Sequence, residues 1–432
     1  MNRVAINTLG CRTNQLESSM IINDFKNHGW EIVKFNEIAD IYIINTCTVT
    51  GKSDTNSRYY IRQAKRTNPD AKIIVTGCYA QVSAEELSNL DEVDLIVGNS
   101  QKTNIFELIK EEFTDRVLVT DIMQEKEFND KDILSAYGRA RANIKIQDGC
   151  NYRCSYCIVP YARGKSRSNK LENIIKQAKQ ITEQGYKELV ISGIHLGQWG
   201  LDFSPQNSLA NLIQEIEKVE GLKRFRLSSI DPMEFSDSLI ETLINSKKFC
   251  RHLHISLQSG NDKILKLMKR RYTVEFYVNL IEKLTESIPN LAIGSDIIVG
   301  FPGESQEDFD ITYNTLEALH VSYVHVFSYS RRKGTPADKM SGQVQENIKK
   351  SRNTALTELA ARKNLEFRQS QVGKEAEVLF EFSRDKKTGL LKGMTDNFIH
   401  VLLDQDDSYK NTLTKVIISE ATPEYTKCRL KS

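Results

Sequence analysis

The chain has 432 residues, eight cysteines and a formal net charge of +2. That length suits two or three domains with cores of their own. The cysteine density excludes a disulfide scaffold, and the near-balance of charge neither demands nor excludes nucleic acid. No charged-then-apolar leader precedes Val4 and no apolar run approaches the ~18 residues of a membrane helix. A cytoplasmic, reducing location is therefore expected, with no membrane partner. There cysteines serve more often as metal ligands than as disulfides.

From residue 1 to about 120, short β-branched runs alternate with helical patterns. VAINTLG precedes a helical pattern over 15–28, IYIINT one over 53–68, KIIVTG one over 83–90, and DLIVG one over 103–112. This alternation predicts a doubly wound parallel sheet. Cys11, Cys47 and Cys78 end the first, second and third of these runs. The C-terminal strand ends of such a sheet share one edge, where ligands bind. A single free cysteine there reads as a small buried hydrophobe. Three at the same topological station read better as three ligands of one cluster. Cys250 and Cys428 have no such company and read as structural.

Residues 121–138 are charged and weakly periodic, as a linker would be. Just beyond it comes IQDGCNYRCSYCIVPYARG, with Cys150, Cys154 and Cys157 spaced Cys-x3-Cys-x2-Cys and Tyr156 before the third. Four thiolates close a tetrahedral zinc site or cap every iron of a cubane. Three leave one metal of a cubane open to a small chelating molecule. The spacing alone also suits a zinc site whose fourth ligand lies elsewhere.

From residue 139 to 368 six strands are expected, at about 142–147, 188–192, 224–229, 252–258, 292–299 and 323–329. Helical segments such as 170–184 and 274–287 separate them. Six βα units predict a partial (βα)6 barrel; two further strands for a full barrel are missing. Each strand runs into an unusual loop: the Cys150 loop, SGIHLGQWG, SSIDPME, LQSG, VGFPGE and YSRRKGTPA. Barrel active sites are built from these loops. Arg163, Lys165 and Arg167 after the cluster loop, and Arg331, Arg332 and Lys333 after the sixth strand, are candidates for phosphate; a solvated face is the simpler reading of each.

A basic helical stretch over 347–368 leads to residues 371–432. There VGKEAEVLFEF, TGLLKGMTDNFIHVLL and NTLTKVIISEA read as short strands of a small β-barrel.

Cys-x3-Cys-x2-Cys with Tyr156 at the mouth of a partial barrel resembles the radical S-adenosylmethionine superfamily. The resemblance implies a 4Fe-4S cluster on Cys150, Cys154 and Cys157 whose open iron chelates S-adenosylmethionine. Reductive cleavage of the sulfonium would then give a 5′-deoxyadenosyl radical. By the same resemblance Ser192 and Gly193 fall where a loop binds the methionine amino group. Ser228, Ser229 and Gln258 fall where polar groups meet ribose and carboxylate. Ile297 to Gly300 would meet adenine through backbone, and Tyr156 would shield the cluster or contact adenine.

TLGCRTNQLES, INTCTVT and TGCYAQ, followed by GCNYRCSYCIVPYARGKSRS, resemble the methylthiotransferase family over essentially the whole chain. This implies an auxiliary 4Fe-4S cluster on Cys11, Cys47 and Cys78. It further implies a TRAM-like RNA-binding module at residues 371–432, and replacement of an unactivated C–H by C–S–CH3. Three substrate classes compete: threonylcarbamoyladenosine in tRNA, isopentenyladenosine in tRNA, and an aspartate of a ribosomal protein. GCRTNQ, GIHLGQWG and SSIDPMEF are similar to the threonylcarbamoyl type. The isopentenyl type tends toward GCQMN, GQNVNSY and TSHP, and the ribosomal-protein type toward GCPKN. The expected reaction is methylthiolation of carbon 2 of that base in tRNA, with an electron donor such as flavodoxin or ferredoxin. The sulfur donor and the catalytic side chains stay open. Arg163, Arg331 and Arg332 are candidates for the threonylcarbamoyl carboxylate. A non-enzymatic iron-sulfur RNA-binding protein is the alternative class. A radical enzyme using only the barrel cluster would leave Cys11, Cys47 and Cys78 without a purpose.

Overall fold

The computed structural model describes residues 2–110, 115–129 and 140–431. Among them no helix is long and apolar enough to cross a membrane.

The first domain is a six-stranded parallel sheet. Its strands are β1 (Arg3–Thr8), β2 (Glu31–Val33), β3 (Ile41–Thr46), β4 (Lys72–Gly77), β5 (Leu95–Val97) and β6 (Val117–Leu118), in the order β2-β1-β3-β4-β5-β6. β3 is buried at every residue, which explains its unbroken apolar run. The sheet has two strands that the sequence pattern does not show. They are three and two residues long, too short for any period to register. The helix expected over 83–90 is instead two short ones, Cys78–Val82 and Ala84–Ser88. Ser83, at φ −138° between them, breaks the helical path. The expected linker starts docked: Ile122 is buried, and its carbonyl lies against Gly164. Its remainder, 130–138, lies outside the described residues.

The second domain carries β7 (Arg141–Lys145), a hairpin of β8 (Gln147–Asp148) and β9 (Arg167–Ser168), then β10 (Glu188–Ser192), β11 (Arg224–Leu227), β12 (His252–His254), β13 (Ala292–Val299) and β14 (Tyr323–Ser328). Parallel pairing joins β7, β10 and β11, and likewise β12, β13 and β14. Parallel bridges Phe225–Phe249 and Ile230–Ile255 connect the two halves. The result is the expected open arc of six βα units. Its core includes Ile144, Leu189, Ile191, Phe225, Leu253, Ile255, Ile293 and Ile297, all fully buried. Each contributes on the order of 1.5–3 kcal/mol by leaving water. The fourth strand ends earlier than its sequence suggests. Gln258 has φ 68° and keeps only a single bridge to Ile297, so the chain there bends away from the sheet and toward the cluster loop.

The third unit is a closed five-stranded barrel of β15 (Glu375–Arg384), β16 (Leu391–Thr395), β17 (His400–Leu403), β18 (Leu413–Ala421) and β19 (Thr426–Leu430). Its own core holds Val378, Phe380, Val401, Ile418 and Cys428. Cys428 and Cys250 are both buried as structural cysteines should be. This module is clamped to the lower end of the large barrel. Glu188 is fully buried and pairs with Arg224 at 2.6 Å and Arg226 at 3.1 Å. The two guanidinium groups donate onward to the carbonyls of Met394, Thr395 and Asp396. Phe398, beyond β16, stacks on His252 at 4.1 Å between ring centroids.

Candidate active site

The strand order places the first three cysteines together. Cys11 follows β1, Cys47 follows β3 and Cys78 follows β4, so all three stand at one edge of adjacent strands. The approach is close enough to require glycine. Gly10 has φ +91°, and a Cβ on it would lie 2.6 Å from Cys47 Cβ. Gly149, before Cys150, has φ +74°, and a Cβ there would lie 2.0 Å from the Lys165 carbonyl. Gly77, before Cys78, also has positive φ. Three of the six cysteines thus follow a glycine that no side chain can replace without strain. Asn14 braces the edge by donating to the carbonyls of Leu9 and Thr46, each at 2.9 Å.

These cysteines line a cavity of about 430 Å³ that extends into the large barrel. Its other walls include Ser192, Gly193, Ser228, His254, Asp296 and His325. The second trio, Cys150, Cys154 and Cys157, lines an adjoining cavity of about 170 Å³ with Tyr156, Gln258 and Arg270. Val159, Ile194 and Ser229 belong to both walls. The two trios therefore face one another across a thin shared partition.

The surroundings of the second trio suit a metal cluster. His195 Nδ1 lies 3.3 Å from Cys150 Sγ, and its Nε2 lies 2.7 Å from Glu234. Burial disfavours the charged imidazole, but the contacts with Cys150 and Glu234 outweigh it and push His195 up to about 10. Arg270 donates to Cys154 Sγ at 3.3 Å and is itself held by Asp231. Gln147 donates to the Gly149 carbonyl at 2.7 Å and accepts from the His195 backbone at 2.8 Å, fixing the loop. Burial pushes the Cys157 thiol up to about 12, and the neighbouring Cys154 adds to it. Burial likewise pushes Cys47 up to about 11, with Cys78 and Cys11 adding. Thiols so placed resist ionisation unless a metal takes the proton's place. Two sets of three thiols with cationic donors behind one set fit two iron-sulfur clusters. The buried hydroxyl oxygens of Ser192 and Ser228 have no hydrogen-bond partner, as expected of groups awaiting a ligand.

Residues 144–316 match the family model of the radical SAM superfamily, and residues 3–98 match that of uncharacterized protein family UPF0004. A protein of Bacillus subtilis named threonylcarbamoyladenosine tRNA methylthiotransferase MtaB is 41% identical over 431 residues, covering 98% of this chain and 95% of the relative. The chain belongs to the radical S-adenosylmethionine methylthiotransferase family. An Aquifex aeolicus protein of the same name is 43% identical over 87% of this chain and 92% of its own length. A tRNA-2-methylthio-N(6)-dimethylallyladenosine synthase of Acetivibrio thermocellus is 34% identical over 96% of this chain and 88% of its own. Among solved structures, the radical S-adenosylmethionine methyltransferase TsrM of Kitasatospora setae superposes with a TM-score of 0.59 at 17% identity, covering 78% of this chain and 77% of that one. That likeness speaks for the fold alone.

Within this methylthiotransferase, the expected site residues divide. Tyr156 and Gln258 line the smaller cavity, Ser192, Gly193 and Ser228 the larger, and Ser229 both. Ile297 and Gly300 line neither. Ile297 is packed in the barrel core, and a Cβ on Gly300 would lie 2.3 Å from Lys349. Of the three candidate arginines, Arg331 keeps the exposure of a solvated face, the simpler reading, and Arg163 does not. Arg163 is buried and donates to Glu17, Asp148 and Asn14. Arg332 is engaged by Thr48 and Asp54 of the first domain, and Arg331 by Asp338. Neither lines a cysteine cavity. His195, Arg270 and Gln147, which contact the second trio or its loop, were not singled out from the sequence. His195 and Gln147 lay within the quoted runs SGIHLGQWG and IQDGCNYRCSYCIVPYARG, while Arg270 carried no signal.

Proposed function

We propose that this enzyme methylthiolates carbon 2 of N6-threonylcarbamoyladenosine next to the anticodon of tRNA, giving 2-methylthio-N6-threonylcarbamoyladenosine. The observation that carries the reading is the pair of cysteine trios facing adjoining cavities across Val159, Ile194 and Ser229. Cys150, Cys154 and Cys157 would hold the 4Fe-4S cluster that binds S-adenosylmethionine; Cys11, Cys47 and Cys78 would hold the auxiliary one. When bound, these groups supply one-electron cleavage of a sulfonium and a sulfur-bearing centre. The chain supplies position. Arg270 and His195 steady two of the sulfurs, Gln147 fixes the loop, and the partition sets the distance between the centres.

The C–H at carbon 2 is not acidic, so no side-chain base can open it. A base in an unpaired loop can be splayed into such a cavity, which a duplex base resists. The electron donor would be a flavodoxin- or ferredoxin-like protein.

The isopentenyl reading is the runner-up, since relatives 34% identical are named for the dimethylallyl base. The larger cavity carries Arg12, His254, Asp296 and His325. These four side chains offer partners to a polar substituent, on a wall that also carries Val159, Ile194, Leu227 and Phe398. The test supplies purified enzyme with reductant, S-adenosylmethionine and either a threonylcarbamoylated or an isopentenylated tRNA. Product is expected on the first; product confined to the second overturns the assignment.

A further inference from the structure

The loop of the second trio sits in a basic patch that cluster binding leaves unexplained. Ser155, between Cys154 and Cys157, donates to the carbonyls of Met268 at 3.0 Å and Leu267 at 2.7 Å. Its own carbonyl accepts from the Ala337 backbone at 2.8 Å. Arg271 lies over the Tyr152 ring, 4.7 Å from its centroid. Three segments thus meet at this loop: 150–157, 263–271 and 331–340. Together they carry ten Lys and Arg and a single acid, Asp338, in a chain of net charge +2. Arg153, Lys266, Lys269, Arg271 and Lys339 are all exposed. Lys263 pairs with Asp308 and Arg331 with Asp338, but these five make no ion pair among the described residues. None of the five lines either cysteine cavity.

We infer that this patch is the docking surface for a small acidic protein that carries one electron. This rests on the cluster reading above. The carrier loses one electron and the cluster of Cys150, Cys154 and Cys157 gains it; no bond breaks and no proton moves. Charge complementarity selects the partner. A concentrated positive surface attracts an acidic protein and speeds its encounter more than it tightens the complex. Electron-transfer encounters use small contacts, below about 1,200 Å². Position favours such a protein over RNA phosphates. The target base must reach the first trio, in the larger cavity, whose wall holds none of the five cations. The electron must reach the second trio, and Arg153 is the residue just before Cys154. Arg270, which donates to Cys154 Sγ at 3.3 Å, belongs to the cluster and not to the docking face.

The experiment uses reconstituted full-length enzyme, flavodoxin hydroquinone as the acidic carrier, and photoreduced deazariboflavin as a small uncharged reductant. The second-order rate of 5′-deoxyadenosine formation from S-adenosylmethionine is read at limiting carrier. Salt is raised from about 0.01 M to about 0.15 M, which shortens the screening length from about 30 Å to about 8 Å. The wild-type rate with flavodoxin should fall about tenfold or more over that range. The triple variant Arg153→Glu, Lys269→Glu, Arg271→Glu should lose at least about tenfold at low salt with flavodoxin. Its rate with deazariboflavin should equal that of wild type. The double variant Lys266→Glu, Lys339→Glu, remote in sequence from the cysteines, should act in the same direction, and it decides the matter where the triple variant holds less iron. A salt-independent wild-type rate overturns the inference, and so does a flavodoxin rate unchanged in both variants. Loss of tRNA affinity in variants that flavodoxin still serves at full rate also overturns it, and assigns the patch to RNA. If deazariboflavin drives no cleavage in wild type, the cluster reading itself falls, and this inference with it.

Discussion

Arg163 of the barrel and Glu17 of the first domain form a two-pronged pair, with Nη1 and Nη2 each 3.0 Å from a carboxylate oxygen. Lys102 at 2.6 Å and Lys145 at 3.1 Å complete the shell around Glu17, which is almost wholly buried. Burial works against the carboxylate. Arg163, Lys102 and Lys145 outweigh it and hold Glu17 well below its ordinary value of 4.5. The pair fixes the first domain on the barrel, and with it the spacing of the two cysteine trios.

Glu17→Gln should therefore cost about 3–5 kcal/mol, because it strands buried cations. Denaturant unfolding at pH 7 measures this, and an unchanged midpoint would show that the network is dispensable. The pH dependence has a definite sign. A carboxylate depressed in the folded state stabilises above its unfolded pKa and loses that contribution as pH falls through the folded value. The gap between wild type and Glu17→Gln should stay constant from pH 8 to about 5.5, then narrow at more acid pH. A gap that grows on acidification contradicts the network.

The iron count is the second prediction. Anaerobically reconstituted enzyme should hold about eight irons, roughly four per cubane. Replacing Cys150, Cys154 and Cys157 with Ala should remove about half, and replacing Cys11, Cys47 and Cys78 the other half. Zinc without iron-dependent absorbance would return the chain to the zinc alternative.

The roles of the trios separate in a third experiment. With Cys11, Cys47 and Cys78 all changed to Ala, S-adenosylmethionine should still be cleaved reductively, since the second trio lies in its own cavity with its own donors. Methylthio product should vanish. Product from that variant would remove the first trio from the sulfur chemistry.

The cysteines, the sheet, the partial barrel and the small β-barrel were legible because each rests on spacing or periodicity. Burial of charge was not. Arg163 and Arg167 read as a basic surface in YARGKSRS, yet both are buried around Asp148, and nothing in a linear sequence tells a solvated arginine from one facing a distant glutamate. Glu17 reads as an ordinary helix residue for the same reason. Arg12 lay within GCRTNQ, the loop that separated the substrate classes, but only the topology brings β14 opposite it. The glycine before Cys11, Cys78 and Cys150 was visible as a repeated Gly-Cys, while the need for it appears only once the neighbouring loops close in.

The C-terminal module supplies the last prediction. Its place outside the barrel motifs would make it removable at about Gln371, with loss of RNA affinity alone. The structure argues otherwise. Removal would uncover Glu188, Arg224 and Arg226, whose partners include the carbonyls of Met394, Thr395 and Asp396. It would also take Phe398 out of the wall of the larger cavity. Truncation should lower thermal stability as well as tRNA binding, so it cannot separate packing from recognition. Lys386 and Lys387, exposed in the turn between β15 and β16, allow the separation. Reversing both to Glu leaves the clamp untouched. If the module grips tRNA phosphates there, affinity should fall and the dependence of binding on salt should weaken by about two phosphate contacts. Unimpaired affinity at matched salt, with normal melting, would assign this face of the module to packing rather than to RNA.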